Sequence, residues 1–405
     1  MGLFALASGG FIACYEVIMY QHFFQRFLQA SQHKQHFASH SHHYWPDVTR
    51  EATLAYWDDS ARFVDDKWQY IFGTKIPQTQ QLVADVLNLP AAEQIVFAPN
   101  THEFVMRLLS CFNWQKPLRI LTTDSEFYSF QRQIKRLSEY ENIEIEIIAT
   151  EPFASFERRF IEAAQHAPYD MVFCSQVFFN SGYAIADLTV FVNQLAAVTE
   201  AMIVIDGYHG FMALPTDLSA IAERIFYLSG SYKYAQGGEG CCFMTVPAGS
   251  EHRPLYTGWF AEFGALAKDK SALVLYSEDG YRFAGSTMDF TALYRLEAAL
   301  LLYKQQGISV GRIHRYVQEL QQYFLTLLDA QGHPLLNREH LLLHDANHHG
   351  HFFTFRLNSS KQVAEVAALL KQAGITTDYR GDRLRFGFGL YQTAEQFDLN
   401  CLNIK

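Results

Sequence analysis

Two stretches of the chain, AMIVIDGYHG (201–210) and RIFYLSGSYKYAQGGEG (224–240), decide how the rest is read. Each opens with a run that is apolar nearly throughout, MIVID and RIFYLS, instead of alternating between apolar and polar residues. That pattern belongs to a strand covered on both faces, as in a parallel sheet flanked by helices. Each run then delivers a residue of chemical interest to a loop. Asp206 ends the first, and the second leads through Ser229, Ser231 and Tyr232 to Lys233, followed by a glycine turn.

Further candidate strands flank this pair, several of them apolar throughout: QIVFA (94–98), RILTT (119–123), IEIEII (143–148), DMVFCS (170–175) and CCFMTV (241–246). Stretches with helical spacing lie between them, among them THEFVMRLLSCF (101–112), FYSFQRQIKRLSEY (127–140) and LTVFVNQLAAVTE (188–200). The alternation predicts an α/β fold with a mainly parallel sheet and helices on both faces. In such sheets ligands bind beyond the carboxyl ends of the strands, which draws attention to Asn100, Asp124, Asn180, Asp206 and Ser229. After about Leu300 the pattern changes to a long helix (309–330), the strand HFFTFRL (351–357), the helix KQVAEVAALLKQAG (361–374) and the strand RLRFGF (383–388). A smaller C-terminal α+β domain is therefore expected. The expected division is an N-terminal segment over 1–55, a large domain over 56–300 and a small domain over 301–405, with a helix near 289–305 joining the last two.

The composition sets the class. A chain of 405 residues that is 49% hydrophobic and 18% charged can bury a large core. A formal charge of -10, without clustered Lys and Arg, argues against a footprint on nucleic acid and leaves small-molecule chemistry. Six cysteines, only Cys241 and Cys242 adjacent and none in a CxxC pair, fit reduced thiols better than a disulfide framework or a zinc site. The stretch from Gly2 to Tyr20 is mostly apolar, yet it lacks a basic n-region and carries Glu16, so it reads neither as a signal peptide nor as a membrane anchor. A cytoplasmic protein is expected. The alternative is a working chain that begins at Met19, because Tyr20, Phe23, Phe24, Phe27 and Leu28 have helical spacing.

A pyridoxal cofactor needs a lysine amine with which its aldehyde forms an imine. It also needs a carboxylate that keeps the ring nitrogen protonated, so that the ring acts as an electron sink. Lys233 and Asp206 supply both groups. Singly, an Asp after a strand commonly caps the next helix, and a Lys in a Gly-rich loop is commonly a solvated charge. The pair together, with its Ser- and Tyr-rich lead-in, points to pyridoxal 5'-phosphate.

These residues resemble the class V aminotransferases of fold type I, and among them the kynureninases most, over about residues 50 to 395. The family's Asp-x-x-His is matched by Asp206 and His209, and its Tyr-Lys-Tyr at the imine lysine by Tyr232, Lys233 and Tyr234. The resemblance implies an amino-acid substrate and a homodimer whose active sites are completed by the second subunit. VFAPNTHEFVMRLLSCF (96–112) is similar to the family's strand, turn and helix that receive the cofactor phosphate, which places Asn100 and Thr101 there. A helix N-terminus suits an anion, although a plain N-cap calls for the same residue types. TTDSEFYSFQRQI (122–134) is similar to the stretch that lays an aromatic ring over the pyridine, implying Phe127. Tyr232 maps onto a phosphate-binding tyrosine. YTGWFAEFG (256–264) and RFAGSTMDF (282–290) resemble segments that reach the neighbouring subunit's cofactor, through Trp259 and Ser286. DYRGDRLRFGFGLYQT (378–393) resembles the stretch whose arginine binds the substrate α-carboxylate, implying Arg385, and a guanidinium fork suits that role. Here Gly387 and Gly389 stand where prolines are usual, and a surface arginine on a strand is the alternative.

His33, His36, His40, His42 and His43 cluster in sequence, but no carboxylate or Cys lies at ligand spacing beside them, so no metal is expected. HSHHYWP (40–46) occupies the place of the family's segment at the active-site mouth, so one of these histidines is expected to contact substrate. Three functions stay open: kynureninase-like C–C or C–X lyase or hydrolase chemistry, transamination, and a non-catalytic homologue that binds the cofactor or nothing. Cysteine desulfuration needs a mobile thiol before the small domain, and no Cys occurs between Cys242 and Cys401.

Overall fold

The computed structural model describes residues 20–31, 35–265, 273–345 and 348–403. The expectations placed on residues 1–19 and on His33 lie outside the described residues. In chain order the strands are β1 (Gln35–His36), β2 (Ile95–Ala98), β3 (Leu118–Thr123), β4 (Ile143–Ile148), β5 (Met171–Ser175) and β6 (Met202–Asp206). They continue with β7 (Ile225–Gly230), β8 (Cys242–Thr245), β9 (Phe352–Arg356), β10 (Ile375–Thr376), β11 (Asp378–Arg380) and β12 (Arg383–Gly387).

The apolar runs of the sequence become one seven-stranded sheet in the order β2-β8-β7-β6-β5-β3-β4. Its pairings are parallel except those of β8, which runs against both β2 and β7. The α/β expectation is met. β5 and β7 are buried at every residue, as their unbroken apolar sequence requires. β4 lies at the sheet edge and is only partly buried, and its IEIEII alternation places Glu144 and Glu146 where an exposed edge benefits from charge. Helices Thr101–Leu109, Tyr128–Leu137 and Leu188–Ala196 form within the expected stretches, the first and last capped by Asn100 and Asp187.

The topology brings the carboxyl ends of β2, β5, β6 and β7 to one edge, together with the amino end of β8. Ser175 and Asp206 are register partners there, as are Gly230 and Cys242. Helix Thr291–Gln305, expected near 289–305, packs against Val48–Phe63 and Ile76–Leu87.

A second sheet has the antiparallel order β11-β12-β9. With helices Val310–Gln331 and Ser360–Gln372 it encloses its own buried cluster, which includes Phe324, Phe353, Phe386 and Phe388. Phe37 of the N-terminal segment belongs to that cluster, and β1 pairs with β10 beside it. The helical spacing after Met19 is realised as two short turns, Gln21–Phe23 and Gln25–Ala30, with Tyr20 and Phe24 buried. Strands β1, β10 and β11 escape a sequence reading because two or three residues cannot display a period of two.

One glycine at this sheet edge is a packing requirement. A Cβ on Gly207 would lie 1.9 Å from Cζ of Tyr227. Tyr227 is fully buried, and its hydroxyl donates to Oε1 of Gln176 (2.8 Å), so it is held in place. Gly207→Ala is therefore expected to destabilise the fold by about 1–3 kcal/mol, the usual cost of overpacking. Urea unfolding at constant m-value measures this, and an unchanged midpoint would show that Tyr227 has another place to go.

Candidate active site

A cavity of about 260 Å³ opens at the carboxyl edge of the large sheet. Asn100, Thr101, Phe127, Asp206, His209, Tyr232 and Lys233 all line it, so residues scattered over more than a hundred positions of sequence converge on one space.

Lys233 follows β7 in a tight loop in which the Lys233 carbonyl accepts from Gln236 N–H (3.0 Å) and Ser231 N–H donates to the Cys241 carbonyl (2.8 Å). Its amine is hydrogen-bonded to Nε2 of buried His209 and sits 5.5 Å from the Phe127 ring centroid and 5.1 Å from that of Tyr208. Burial lowers its pKa to about 7, although the negative charge of Asp206 pulls the other way. An amine that is about half neutral at pH 7 is a competent nucleophile and proton carrier.

Asp206 ends β6, and its Oδ1 accepts the Tyr208 N–H (2.9 Å). Burial raises its pKa, against the Tyr208 hydrogen bond and the Lys233 charge. No ion pair reaches it among the described residues. Lys233 acts on this carboxylate only from beyond ion-pair distance, and a protonated pyridine nitrogen would supply a cation in direct contact. Asn100 does what the capping alternative foresaw, its Oδ1 accepting the Glu103 N–H (2.9 Å). The nine-residue helix it caps nevertheless starts at the cavity wall, with Thr101 and His102 at its first turn. Phe127 is 44% exposed and meets Phe179 edge-on at 5.5 Å. A lysine amine, an unpaired carboxylate, a helix N-terminus and an apolar ring around one space together fit pyridoxal 5'-phosphate.

Trp259, Ser286 and Arg385 do not line the cavity. Trp259 is 39% exposed, with its indole N–H donating to Thr287 Oγ1 (3.3 Å), and Ser286 is exposed. Arg385 is no surface residue: at 3% exposure it donates to the Phe179 carbonyl and pairs with Asp378. Phe179 itself lines the cavity, so Arg385 borders the site through it. Of the other strand-end residues, Asp124 receives Ser125 Oγ and the N–H and hydroxyl of Thr150, Asn180 donates to Ser125 Oγ, and Ser229 donates to the Gly207 carbonyl. They hold turns.

The N-terminal histidines divide. His36 is hydrogen-bonded to Tyr391 Oη (2.6 Å), His43 to the Tyr44 carbonyl (2.7 Å), and the His42 ring lies 5.7 Å from that of Tyr232. A Cβ on Gly387 would lie 2.3 Å from His40 Nδ1, and one on Gly389 would lie 2.5 Å from His43 Nε2. The departure from the family's prolines thus has a cause in this chain, because two imidazoles occupy the space.

Glu126 went unread in the sequence. It is buried beside Phe127, accepting from Thr123 Oγ1 (2.8 Å), Ser175 N–H (3.1 Å) and Ser175 Oγ. Burial pushes its pKa up to about 8, and the charge of Asp206 adds to the rise. A Glu at the end of β3 among Thr, Asp and Ser was the available signal. Tyr208, Ser175 and Cys242 also line the cavity.

The family model of Aminotransferase class-V matches residues 67–398. No sequence relative is found among curated proteins. Among solved structures, a mutant of C-DES with glycine covalently linked to its PLP cofactor superposes with TM-score 0.77 at 18% identity, covering 93% of this chain and 96% of that one. The cystine C-S lyase C-DES with its product cysteine persulfide gives 0.76 at 18%, over 91% and 96%. The cysteine desulfurase CsdA from Escherichia coli gives 0.74 at 14%, over 95% and 96%. At these identities the likeness is one of fold. The matched span covers most of the sequence and includes every cavity residue named here, and the chain belongs to the aminotransferase class-V family.

Proposed function

We propose that the chain cleaves a C–C or C–X bond of an amino acid in a kynureninase-like reaction, with pyridoxal 5'-phosphate as cofactor. The observation that carries this is the convergence of the Lys233 amine, the Asp206 carboxylate and the start of helix Thr101–Leu109 on one cavity. When bound, the cofactor supplies an electron sink for charge developing on the substrate. Asp206 would face the ring nitrogen as the carboxylate that keeps it protonated. Thr101 and its neighbours would offer N–H groups to the phosphate, joined by Tyr232. Lys233, held by His209, is placed to take and return a proton at the substrate α-carbon. Phe127 and Phe179 would wall the site against water, and Arg385 would receive the substrate carboxylate.

The kynureninase-like reading draws support from the Asp206/His209 and Tyr232-Lys233-Tyr234 matches and from the aromatic residue at 127. Trp259 and Ser286, exposed in one chain and away from its cavity, suit a homodimer in which they complete the partner's site. The division at residues 55/56 and 300/301 belongs to the same proposal. No helix among the described residues is long and apolar enough to cross a membrane.

Purified protein should absorb in the visible when loaded with cofactor, and a protein that stays colourless would favour the non-catalytic alternative. Borohydride reduction and peptide mapping should place the pyridoxyl label on Lys233, and Lys233→Ala should carry none and lose turnover. A label on another lysine overturns the assignment.

Asp206→Asn should retain cofactor but lose activity on the order of 10²-fold, the scale for removing one preorganised electrostatic partner. Parallel losses of binding and melting temperature would mark Asp206 as structural.

The amine of Lys233 also sets a pH dependence. With its pKa lowered to about 7, the fraction able to attack an aldehyde rises through that value in the cofactor-free protein. Stopped-flow rates of pyridoxal 5'-phosphate capture should therefore climb about tenfold per pH unit below pH 7 and level off above it. A rate still rising at pH 9 would show the amine unperturbed.

A further inference from the structure

Arg385 is the centre of a buried charge cluster that extends beyond the pair already described. Its Nε has no hydrogen-bond partner among the described residues. Asp378 accepts from Ser41 Oγ (3.0 Å) as well as from Arg385, and its carboxylate stands 3.6 Å from His40 Nε2 and 3.6 Å from Arg380 Nη1. His40 is 1% exposed and stacks on Phe352 at 4.6 Å, and neither of its ring nitrogens has a hydrogen-bond partner among the described residues. Burying an imidazole with both nitrogens unpartnered is costly, and only a glycine at 387 leaves room for it.

The charges decide what the cluster can do. Arg380 lies at the rim, its side chain 52% exposed and screened by water, so within the enclosed part of the cluster Arg385 and Asp378 neutralise each other. His40 is held neutral, its pKa lowered to about 4 chiefly by burial, against its contact with Asp378. A substrate carboxylate docking on Arg385 adds one negative charge to this enclosed set, an unfavourable excess in a water-poor recess. Asp378 resists taking a proton: burial favours its neutral form, but His40 and Arg385 outweigh burial and hold it well below the usual carboxylate range. The groups facing His40 are Asp378 from β11, which Arg380 of the same strand also approaches, Arg385 from β12, and Lys233 and His209 at the edge of the large sheet. Lys233 is committed to the cofactor in the working enzyme, and burial holds His209 neutral. His40 remains, with an open nitrogen directed at Asp378.

We infer that His40 and Asp378 make carboxylate binding at Arg385 proton-linked: the carboxylate docks on the guanidinium while one proton enters the His40 ring and pairs it with Asp378. Charge is conserved in the recess, since one anion and one proton enter together. His40 and Asp378 act as positioning residues and need not touch substrate. The inference rests on the proposed role of Arg385 as the carboxylate receptor.

The test uses cofactor-loaded protein and propionate, a carboxylate without an amine, so that binding is separated from chemistry at Lys233. Isothermal titration calorimetry in buffers of different ionisation enthalpy counts the protons exchanged. Wild type should take up protons on binding propionate, more at about pH 6 than at about pH 8, with Kd rising as the pH is raised over that range. His40→Gln should bind weakly with almost no uptake. Asp378→Asn should also show almost no uptake, yet bind at least as tightly as wild type at pH 8, because Arg385 then keeps its full charge. Wild-type binding without proton uptake, or uptake that persists in His40→Gln, overturns the linkage, and the wild-type count decides alone if the variants do not fold. Failure of wild type to bind propionate, or equal binding by Arg385→Met, overturns the reading of Arg385 instead.

Discussion

An amine and two carboxylic acids enclosed at one sheet edge form the constraint on which the rest of the structure depends. Lys233, Asp206 and Glu126 would each be more stable in water, and burial moves all three toward their neutral forms. They stay because the surrounding sheet gives them no alternative. β6 and β7 are paired, so the loops that carry Asp206 and Lys233 leave from neighbouring strands, and Ser175 on β5 lies in register with Asp206 while holding Glu126. Glu126, with its pKa pushed up to about 8, can remain protonated at neutral pH, while the Lys233 charge opposes the effect of burial on Asp206.

The same logic links the N-terminal segment to the substrate end of the site. Phe37 sits in the buried cluster of the small sheet, and Phe37 N–H donates to the Thr376 carbonyl (2.8 Å) while Gly387 N–H donates to the Phe37 carbonyl (2.7 Å). That anchorage presses His40 and His43 against Gly387 and Gly389. A proline ring at either position would compete for the volume of an imidazole. The glycines and the histidines are therefore one adaptation, and the arginine strand and the active-site mouth cannot change independently.

The inner strands of the large sheet were legible because burial on both faces writes itself into consecutive apolar residues, and the edge strand β4 because its IEIEII alternation marks a half-exposed strand. Asp206 and Lys233 were legible because the chemistry they serve needs two residue types at the ends of adjacent strands. Glu126 was hidden because its meaning comes from Thr123 and Ser175, and the latter lies on another strand. Asp378 was hidden in a three-residue strand, and with it the fact that Arg385 already has a partner. The chain's own residues assigned Phe127 no special place among its many phenylalanines, and only resemblance singled it out. Trp259 and Ser286 lie away from the cavity, and only resemblance singled them out.

Fold alone does not choose among the reactions this family performs, since one scaffold hosts many chemistries. The residues around the cavity narrow the choice. A reaction that leaves sulfur on the enzyme needs a reactive thiolate near the substrate, and the chain has no cysteine between Cys242 and Cys401. Cys242 does line the cavity, but it is buried against the Tyr208 hydroxyl (3.4 Å), and burial pushes its pKa to about 12. At neutral pH it is a thiol packed as a small apolar group, because burial outweighs the lowering influence of Tyr208, the Thr101 N–H and the Lys233 charge. Bond cleavage that needs only an electron sink, a lysine able to move protons near pH 7 and an arginine for the carboxylate makes no such demand.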